Sequence, residues 1–466
     1  MKLGKIKAPN TYLIIFSLLV IVAVLTWIIP GGEYPRSEVN GRMEVVGTGF
    51  TFIKSNPQGF FDIFMAPLKG FEDAALIVGF VLFIGGVFGV LKKTEAVDSA
   101  LRGIAKAHSK SKFVRMAIIP IFMILFSLAG SIFGMSEEVI PFILLFVPMA
   151  LMLGYDTVIG VAIPFIGAGV GFAGAYLNPF TIGVAQAISG LPLFSGITYR
   201  MIVWLVTTTV AIIFVMRYAS KIKANPEKSI TYEKDKLKKK KIDFDEIENH
   251  DGMLVRHKLV LISFVAGIGV LIFGVLEYGW YITEISALFI VIGLVVGILG
   301  KLSPNEFTDS FIKGAGELVS TALIIALARG ILIIAKDGHI IDTILYALSG
   351  PISALHPIVS AQAMFLVQTA INFFVPSGSG QAALTMPIMA PLADIVGVSR
   401  QTAVLAFQFG DGFSNMIIPT SAVTMGVLTL ADIPWEKWAR WVLPLEIIFL
   451  LIGFLLLIPP FLIGWQ

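Results

Sequence analysis

Cysteine is absent from the chain, which excludes disulfides, thiol catalysis and cysteine-held metals. Histidine is scarce. His108, His250, His257, His339 and His356 are scattered, and no two take a ligand-like spacing such as H-E-x-x-H. No G-x-x-x-x-G-K-[ST] phosphate loop occurs, so ATP is not harnessed through that motif. Charge is thin as well. Only 14% of the 466 residues are charged, against about 25% in soluble domains. The net charge of +3 says little by itself; its distribution along the chain says more.

What the chain has instead is apolar length. Hydrophobic residues make up 56% of it and the mean hydropathy is +0.88. Runs at 11–29, 259–274 and 282–299 are nearly uncharged, and about 20 apolar residues span a bilayer. The expectation is an all-α, multi-pass protein of the cell (cytoplasmic) membrane. The first run is too long for a signal peptide and lacks a small-residue cleavage site, so it reads as the first transmembrane helix.

Basic residues set the expected topology. The short basic stretch 1–7 places the N-terminus in the cytoplasm. Span 11–29 leads out to the polar segment 30–56. A short aromatic amphipathic piece with Phe60, Phe61 and Phe64 follows, and span 72–91 returns. Residues 92–112, rich in Lys and Arg, carry Ala96, Val97, Ala100, Leu101 and Ile104 at helical spacing, the pattern of an interfacial amphipathic helix. Then come an apolar run (113–153), an interrupted span (157–188) and a helix (200–218). Residues 219–257 form the one long polar segment, with four lysines at 238–241 followed by acids at 243–248. It reads as a solvated cytoplasmic linker, with a lipid-headgroup or regulatory contact as the alternative. Spans at 258–275, 281–300 and 316–335, an amphipathic piece (338–350), an apolar run (356–393), a broken span (401–430) and a last helix (440–461) complete the chain, leaving the C-terminus outside.

The two halves look like copies. At an offset of 244 residues, Lys69-Gly70 falls on Lys313-Gly314, Gly86 on Gly330, Lys92 on Lys336 and Asp98 on Asp342. With a one-residue gap, Ser136 meets Ser379, Pro148 meets Pro391 and Gly154 meets Gly397. Further on, Gly169-x-Gly171-Phe172 meets Gly410-x-Gly412-Phe413. In each copy a hydrophobic run is interrupted by a polar tip: Gly134-Met135-Ser136-Glu137-Glu138 in the first, Ser377-Gly378-Ser379-Gly380-Gln381 in the second. If both tips lie in re-entrant hairpins (113–153 and 356–393), an odd number of crossings separates equivalent helices, and the repeats are inverted. The domains expected are a first repeat at 1–218, the linker 219–257 and a second repeat at 258–466. Broken apolar segments at matching places in two halves point to the binding site of a secondary transporter.

The residues at the interruptions are the site candidates. Glu137 and Glu138 are costly at membrane depth, about 2.5–3.5 kcal/mol for an acid at the bilayer centre on insertion scales. They face a solute or an ion there, unless Ser136-Glu137-Glu138 merely opens a helix as an N-cap with acids in its first turn. The second tip has no charge. Ser377, Gly378, Ser379, Gly380 and Gln381 offer backbone N–H groups and hydroxyls suited to a carboxylate; the alternative is a flexible Gly/Ser loop. The first break adds Asn178, Pro179, Thr181 and Gln186; the second adds Asp411, Ser414, Asn415, Thr420, Ser421 and Thr424. Unwound carbonyls at such breaks hold Na⁺, and Gly134, Met135, Glu138 and Asp411 are the coupling-ion candidates. Asp411 can bind solute, carry a proton or pair with Arg329. Arg329, deep in an apolar helix, reads as a counter-ion for a buried acid or as an anion binder. Asn372 is a further polar residue just before the second tip.

With these stretches in view, the chain resembles the anaerobic C4-dicarboxylate carrier (DcuC-like) family, its YfcC branch in particular, within the ion-transporter superfamily. The resemblance rests on Gly134-Met135-Ser136-Glu137-Glu138-Val139-Ile140-Pro141-Phe142, Asn178-Pro179-Phe180-Thr181, the second tip, and Gly410-Asp411-Gly412-Phe413-Ser414-Asn415. It implies a homodimer with a fixed scaffold and a mobile transport domain that carries both hairpins and the broken helices and moves by an elevator mechanism. It implies no cofactor beyond Na⁺ or H⁺ as coupling ion. Family names point to C4-dicarboxylates, and this branch to basic amino-acid exchange of the arginine–ornithine type.

Charge complementarity separates the two. A dicarboxylate would meet Glu137, Glu138 and Asp411 with only Arg329 positive. A cationic amino acid would place its carboxylate at the second tip and its positive end near Glu137 and Glu138. The reading is a secondary transporter of amino acids, basic ones first, working by exchange or Na⁺/H⁺ coupling. A cation-coupled dicarboxylate carrier is the alternative, and a channel or intramembrane enzyme a more distant one. No enzymatic activity and no nucleic-acid partner are expected.

Overall fold

The structure is a computed structural model that describes residues 11–39, 42–45, 49–240 and 253–465. It opens with α1 (Thr11–Ile28). Four short strands follow: β1 (Gly32–Glu33), β2 (Arg36–Val39), β3 (Arg42–Val45) and β4 (Thr51–Phe52). β1 pairs antiparallel with β4, Gly32 opposite Phe52, and β2 with β3. The polar segment after the first span is therefore a small β structure, a departure from the all-α expectation. Then come α2 (Phe60–Asp73), α3 (Ala75–Lys93), α4 (Ala96–Lys110), α5 (Lys112–Phe133), α6 (Val139–Met152) and α7 (Thr157–Ala173). A wide π turn, Pro179–Gly183, leads into α8 (Val184–Ile188), and α9 (Ile197–Ala224) and α10 (Tyr232–Lys239) close the first half.

The second half has α11 (Val255–Tyr278), α12 (Ile282–Leu299), α13 (Pro304–Glu317), α14 (Val319–Asp337), α15 (Ile341–Ser349), α16 (Pro357–Phe374), α17 (Gly378–Ile395), α18 (Arg400–Ser414), α19 (Ala422–Ala431), α20 (Trp435–Leu456) and α21 (Pro459–Leu462). Eight helices among the described residues are long and apolar enough to cross a membrane. The chain is a multi-pass membrane protein.

Helix starts follow the local chemistry. Ser111 caps α5 by accepting the Val114 N–H, and Ser399 and Ser421 cap α18 and α19 through Thr402 and Thr424. Ser303 and Glu306 form a reciprocal box at α13, with Pro304 in its first turn. Both interruptions that the sequence marks are real breaks. α7 ends at Ala173 and the helix resumes at Pro179; α18 ends at Ser414 and α19 resumes at Ala422.

The chain folds as two compact units, each taking segments from both halves of the sequence. The first holds the residues up to Ala74, Phe172–Thr207 and those from Ile324 on. Here α16 lies along α18, and an aromatic cluster seals the contact with α20: Phe413 stacks on Phe449 (4.7 Å), while Phe365 meets Phe409 (5.8 Å) and Phe454 (5.7 Å) edge-on. Lipid is as apolar as these rings, so their shape complementarity, rather than escape from water, holds the helices together. The strand segment docks on α15: the Tyr34 N–H donates to Asp342 Oδ2 (2.9 Å) and Arg36 pairs with Asp342 Oδ1 (2.7 Å). Burial pushes the Tyr34 phenol up to about 12.

The second unit holds Ala75–Gly171 and Thr208–Leu323. α3 packs against α12 and α13, and Phe126 sits edge-on to Phe142 (5.3 Å) and Phe146 (5.1 Å). One contact recurs in both units with the roles of the two halves exchanged. In the first unit α2 meets α14 at Gly70, where a β-carbon would lie 2.4 Å from the Ala326 carbonyl oxygen. In the second, α13 meets α3 at Gly314, where a β-carbon would lie 2.3 Å from the Gly85 carbonyl oxygen.

The polar segment after α9 is more than a solvated linker. Asp235 is buried and accepts from the Thr157 N–H (2.9 Å), the Thr157 hydroxyl and the Thr231 hydroxyl (2.6 Å). Asp156 accepts from Ile159 N–H (2.9 Å), Tyr218 (2.7 Å) and Ser229 (2.7 Å); burial pushes its carboxyl up despite those bonds. Residues 226–240 are thereby docked on the start of α7. Lys238 donates to Thr157 Oγ1 (3.2 Å). Lys241 and the acids at 243–248 lie outside the described residues.

Candidate functional site

The first unit gathers the second tip and both helix breaks in one place. α16 leads to the tip, α17 leaves it, and Gly378 opens α17. A β-carbon on Gly378 would lie 2.4 Å from Thr181 Cγ2 and 3.2 Å from Asp411 Oδ2. One glycine of the second tip therefore touches the restart of the first broken helix and the end of α18 at once.

Amides fix this junction. Asn372, the last buried polar residue of α16, donates to the Asp411 carbonyl (3.1 Å), Ser414 Oγ (2.7 Å) and Asn415 Oδ1 (3.1 Å). Asn415 donates to Asp411 Oδ1 (3.2 Å), and the Thr424 hydroxyl donates to the Asn415 carbonyl. Asn178 caps the Pro179 turn by accepting from the Phe180 (2.9 Å) and Thr181 (3.3 Å) N–H groups. Below the tip, Gln381 donates to the carbonyl (2.9 Å) and side-chain oxygen (2.8 Å) of Gln368, and Thr385 donates to the same side-chain oxygen (3.0 Å). Two tryptophans tie down carbonyls of the second break: Trp438 Nε1 to Met416 (2.9 Å) and Trp435 Nε1 to Ile417 (2.8 Å).

These bonds leave specific atoms over. Asn178 Nδ2, Thr181 Oγ1, Asn372 Oδ1, Gln381 Oε1, Gln408 Oε1 and Thr420 Oγ1 are buried and have no hydrogen-bond partner among the described residues. Each such group costs about 1–3 kcal/mol when left unsatisfied, and native structures hold few of them. Six of them fall on the elements around one junction, which therefore carries unused hydrogen-bonding capacity. Five of the six are oxygens: three amide oxygens that only accept, and two threonine hydroxyls that accept or donate. Asp411, fully buried, adds a carboxyl group to the same junction. The tip itself is more open: Ser377, Gly378 and Ser379 are half-buried and Gly380 is exposed.

Several site candidates lie on other elements. Ser136, Glu137 and Glu138 belong to the second unit and are half-buried. The alternative of a Ser136 N-cap is not formed there: α6 starts at Val139 with Glu138, not Ser136, as its flanking residue, and Glu138 Oε2 accepts the Ser136 N–H (3.0 Å). Gly134 ends α5 in a left-handed conformation, with Met135 bonded back to the Ala129 carbonyl. Gln186 serves a different cluster, accepting the Phe194 N–H (2.6 Å) and donating to the Ser195 carbonyl (2.9 Å). Arg329 takes the counter-ion alternative, with a different acid. It pairs with Asp73, at the end of α2, rather than with Asp411, and both side chains are about a third exposed. Its partner acid is exposed rather than buried.

Gln368, Thr385 and Gln408 are members that the sequence reading passed over. A signal was present: Gln368 and Asn372 are four apart, as are Gln381 and Thr385, while Gln408, Asp411 and Asn415 fall on one helix face.

The chain matches the C4-dicarboxylate anaerobic carrier family over residues 8–461. It is 36% identical over 472 residues to an Escherichia coli K12 protein named "Putative basic amino acid antiporter YfcC", covering 93% of this chain and 92% of that one. A Haemophilus influenzae protein is 29% identical over 493 residues, covering 97% and 96%. Among solved structures, Neisseria gonorrhoeae MtrF aligns with a TM-score of 0.45 at 16% identity, covering 97% of this chain and 95% of that one. The Alcanivorax borkumensis YdaH transporter aligns at 0.43 and 14%, covering 98% and 99%. With a family match across nearly its whole length and that YfcC relative, this multi-pass membrane protein belongs to the DcuC C4-dicarboxylate anaerobic carrier family.

Proposed function

We propose that the chain is a secondary transporter of amino acids, basic ones foremost, and that the junction of the second tip with the two helix breaks holds the solute. The observation that carries the reading is the set of buried polar atoms left over there, five of them oxygens, beside Asp411. An α-carboxylate fits the backbone N–H groups that open α17, and a cationic group fits the acceptor oxygens. A dicarboxylate would meet three amide oxygens that only accept and one acid, and would need cations to accompany it. The name of the Escherichia coli relative supports the same choice.

The contact exchanged between α2 on α14 and α13 on α3 supports an inverted-repeat architecture, and the breaks support alternating access by an elevator-type movement of a transport domain. Exchange, or coupling to Na⁺ or H⁺, supplies the energy, with Asp411 and the glutamate tip as the charged groups available for it. The expected topology keeps the N-terminus and residues 219–257 inside and the C-terminus outside, and the working unit is a homodimer.

Counterflow in proteoliposomes tests the assignment. Vesicles loaded with unlabelled arginine should accumulate labelled arginine, and lysine and ornithine should compete. Uptake and counterflow of succinate without any response to the three basic amino acids would overturn it in favour of a cation-coupled dicarboxylate carrier.

A further inference from the structure

Arg200 is fully buried, in the opening turn of α9, and no carboxylate pairs with it among the described residues. Its guanidinium is charged at any ordinary pH. One nitrogen, Nη2, donates to Gln401 Oε1 (3.0 Å). Nε and Nη1 have no hydrogen-bond partner among the described residues. The Trp465 ring covers the group at 5.2 Å, a contact that offsets only part of the charge. A buried charge without a counter-ion costs several kcal/mol.

The surroundings add positive potential rather than relieving it. The N-termini of α9 and α18 converge here, since Gln401 lies in the first turn of α18. Helix N-termini carry partial positive charge, so a cation in a first turn is of the wrong sign. Arg400 is beside Gln401 but is already neutralised by Asp394 (2.7 Å). Gln401 is itself fixed: its side-chain oxygen also accepts from Gln186 Nε2 (3.2 Å), and its nitrogen donates to Ser195 Oγ. Trp465 packs on Gly196, where a β-carbon would lie 2.5 Å from its ring. The same indole lines a cleft of about 400 Å³ together with Pro357, Ser399, Thr402, Phe461 and Gly464.

We infer that Arg200 anchors a binding site for a monovalent anion, chloride or a carboxylate group, through the Nε and Nη1 donors that its bond to Gln401 leaves unused, with Trp465 as its cover. The site lies on residues distinct from the solute junction and does not depend on which solute is carried. An anion there neutralises the guanidinium and complements both helix N-termini at once.

Thermal unfolding of the purified full-length protein tests this, with salts exchanged at constant ionic strength. Chloride and acetate are each titrated against methanesulfonate. The expected result is a saturable rise of a few degrees in unfolding temperature with one of the two, which identifies the ligand as halide or carboxylate. Arg200→Gln should abolish the rise. Gln401→Glu should raise the unfolding temperature in methanesulfonate and flatten the anion response, because it builds a counter-ion into the site. Absence of a saturable response in the unaltered protein, or an unchanged response in either variant, would overturn the proposal. If Arg200→Gln fails to fold, the Gln401→Glu response decides alone.

Discussion

Gly378 and Thr181 come from opposite halves of the chain and touch: a β-carbon on the glycine would lie 2.4 Å from the threonine Cγ2. Nothing larger than hydrogen fits on Gly378 while that methyl stays in place. Gly378→Ala therefore overpacks the junction, at about 1–3 kcal/mol, and initial uptake should fall by about tenfold or more. Thr181→Ser removes the methyl and keeps the hydroxyl, so the double variant should recover most of the lost uptake. Equal uptake by the single and double variants would show that this contact does not shape the pocket.

Asn372 holds three acceptors of the second break with one amide nitrogen. Asn372→Ala leaves the Asp411 carbonyl and its neighbours without that donor inside a buried region, at about 1–3 kcal/mol for each group left bare. The unfolding temperature should drop, and amide exchange at residues 411–416 should speed up more than at the helices of the second unit. Uniform acceleration across the chain would instead mark a global loss of stability.

The positions of breaks were legible because a break has to be written in polar and small residues. Gly and Ser at 377–380 and Asn178-Pro179 stand out against apolar neighbours, and the helix ends fall within a few residues of them. What was not legible depends on tertiary contact. Asp73 is 256 residues from Arg329 and nothing local links them. Arg200 stood at the edge of an apolar run, where a basic residue normally marks the membrane boundary; only its burial exposes it as an anomaly. Asp235 sat in a lysine-rich stretch that reads as solvated, and its role appears only when Thr157 is placed beside it. Gln368 and Gln408 each stand one helical turn from another polar residue, a weak signal in apolar helices until their partners are known.

Arg329 and Asp73 provide a test of role. As a partly exposed ion pair on residues outside the solute junction, it should matter for stability and little for solute choice. Arg329→Met should lower the unfolding temperature while leaving the order of preference among arginine, lysine and succinate unchanged. The exchanged pair Arg329→Asp with Asp73→Arg should restore part of the loss. A change in solute preference in Arg329→Met would return the residue to the binding site.

His108 gives the second unit a pH dependence. Burial, with Lys223 and Arg115 nearby, pushes its imidazole down from the ordinary 6.5 to about 4. In the folded protein it is neutral between those values, whereas the unfolded chain binds the proton, so the unfolded state gains protons as pH falls. This contribution to stability is therefore present above about 6.5 and is lost as pH falls toward 4. Unfolding temperature measured across that window should fall less steeply for His108→Gln than for the unaltered chain. Parallel profiles would assign the pH dependence to other groups.

Asp411 separates solute recognition from scaffolding. Its backbone carbonyl serves Asn372, while its side chain accepts from Asn415 and faces Gly378. Asp411→Asn keeps an oxygen for Asn415 and nearly the same volume, so the junction should fold, but the charge is gone. If that charge meets the cationic part of the solute, arginine should raise the unfolding temperature of the unaltered protein and fail to raise that of Asp411→Asn. Loss of a charged hydrogen bond, about 1.5–3 kcal/mol, corresponds to a drop in arginine affinity of about tenfold to a hundredfold. Should the variant bind arginine normally but lose its dependence on Na⁺ or pH, Asp411 belongs to the coupling ion instead, and the cationic end of the solute must be sought at other acids. Normal binding with normal coupling would leave Asp411 a purely structural group.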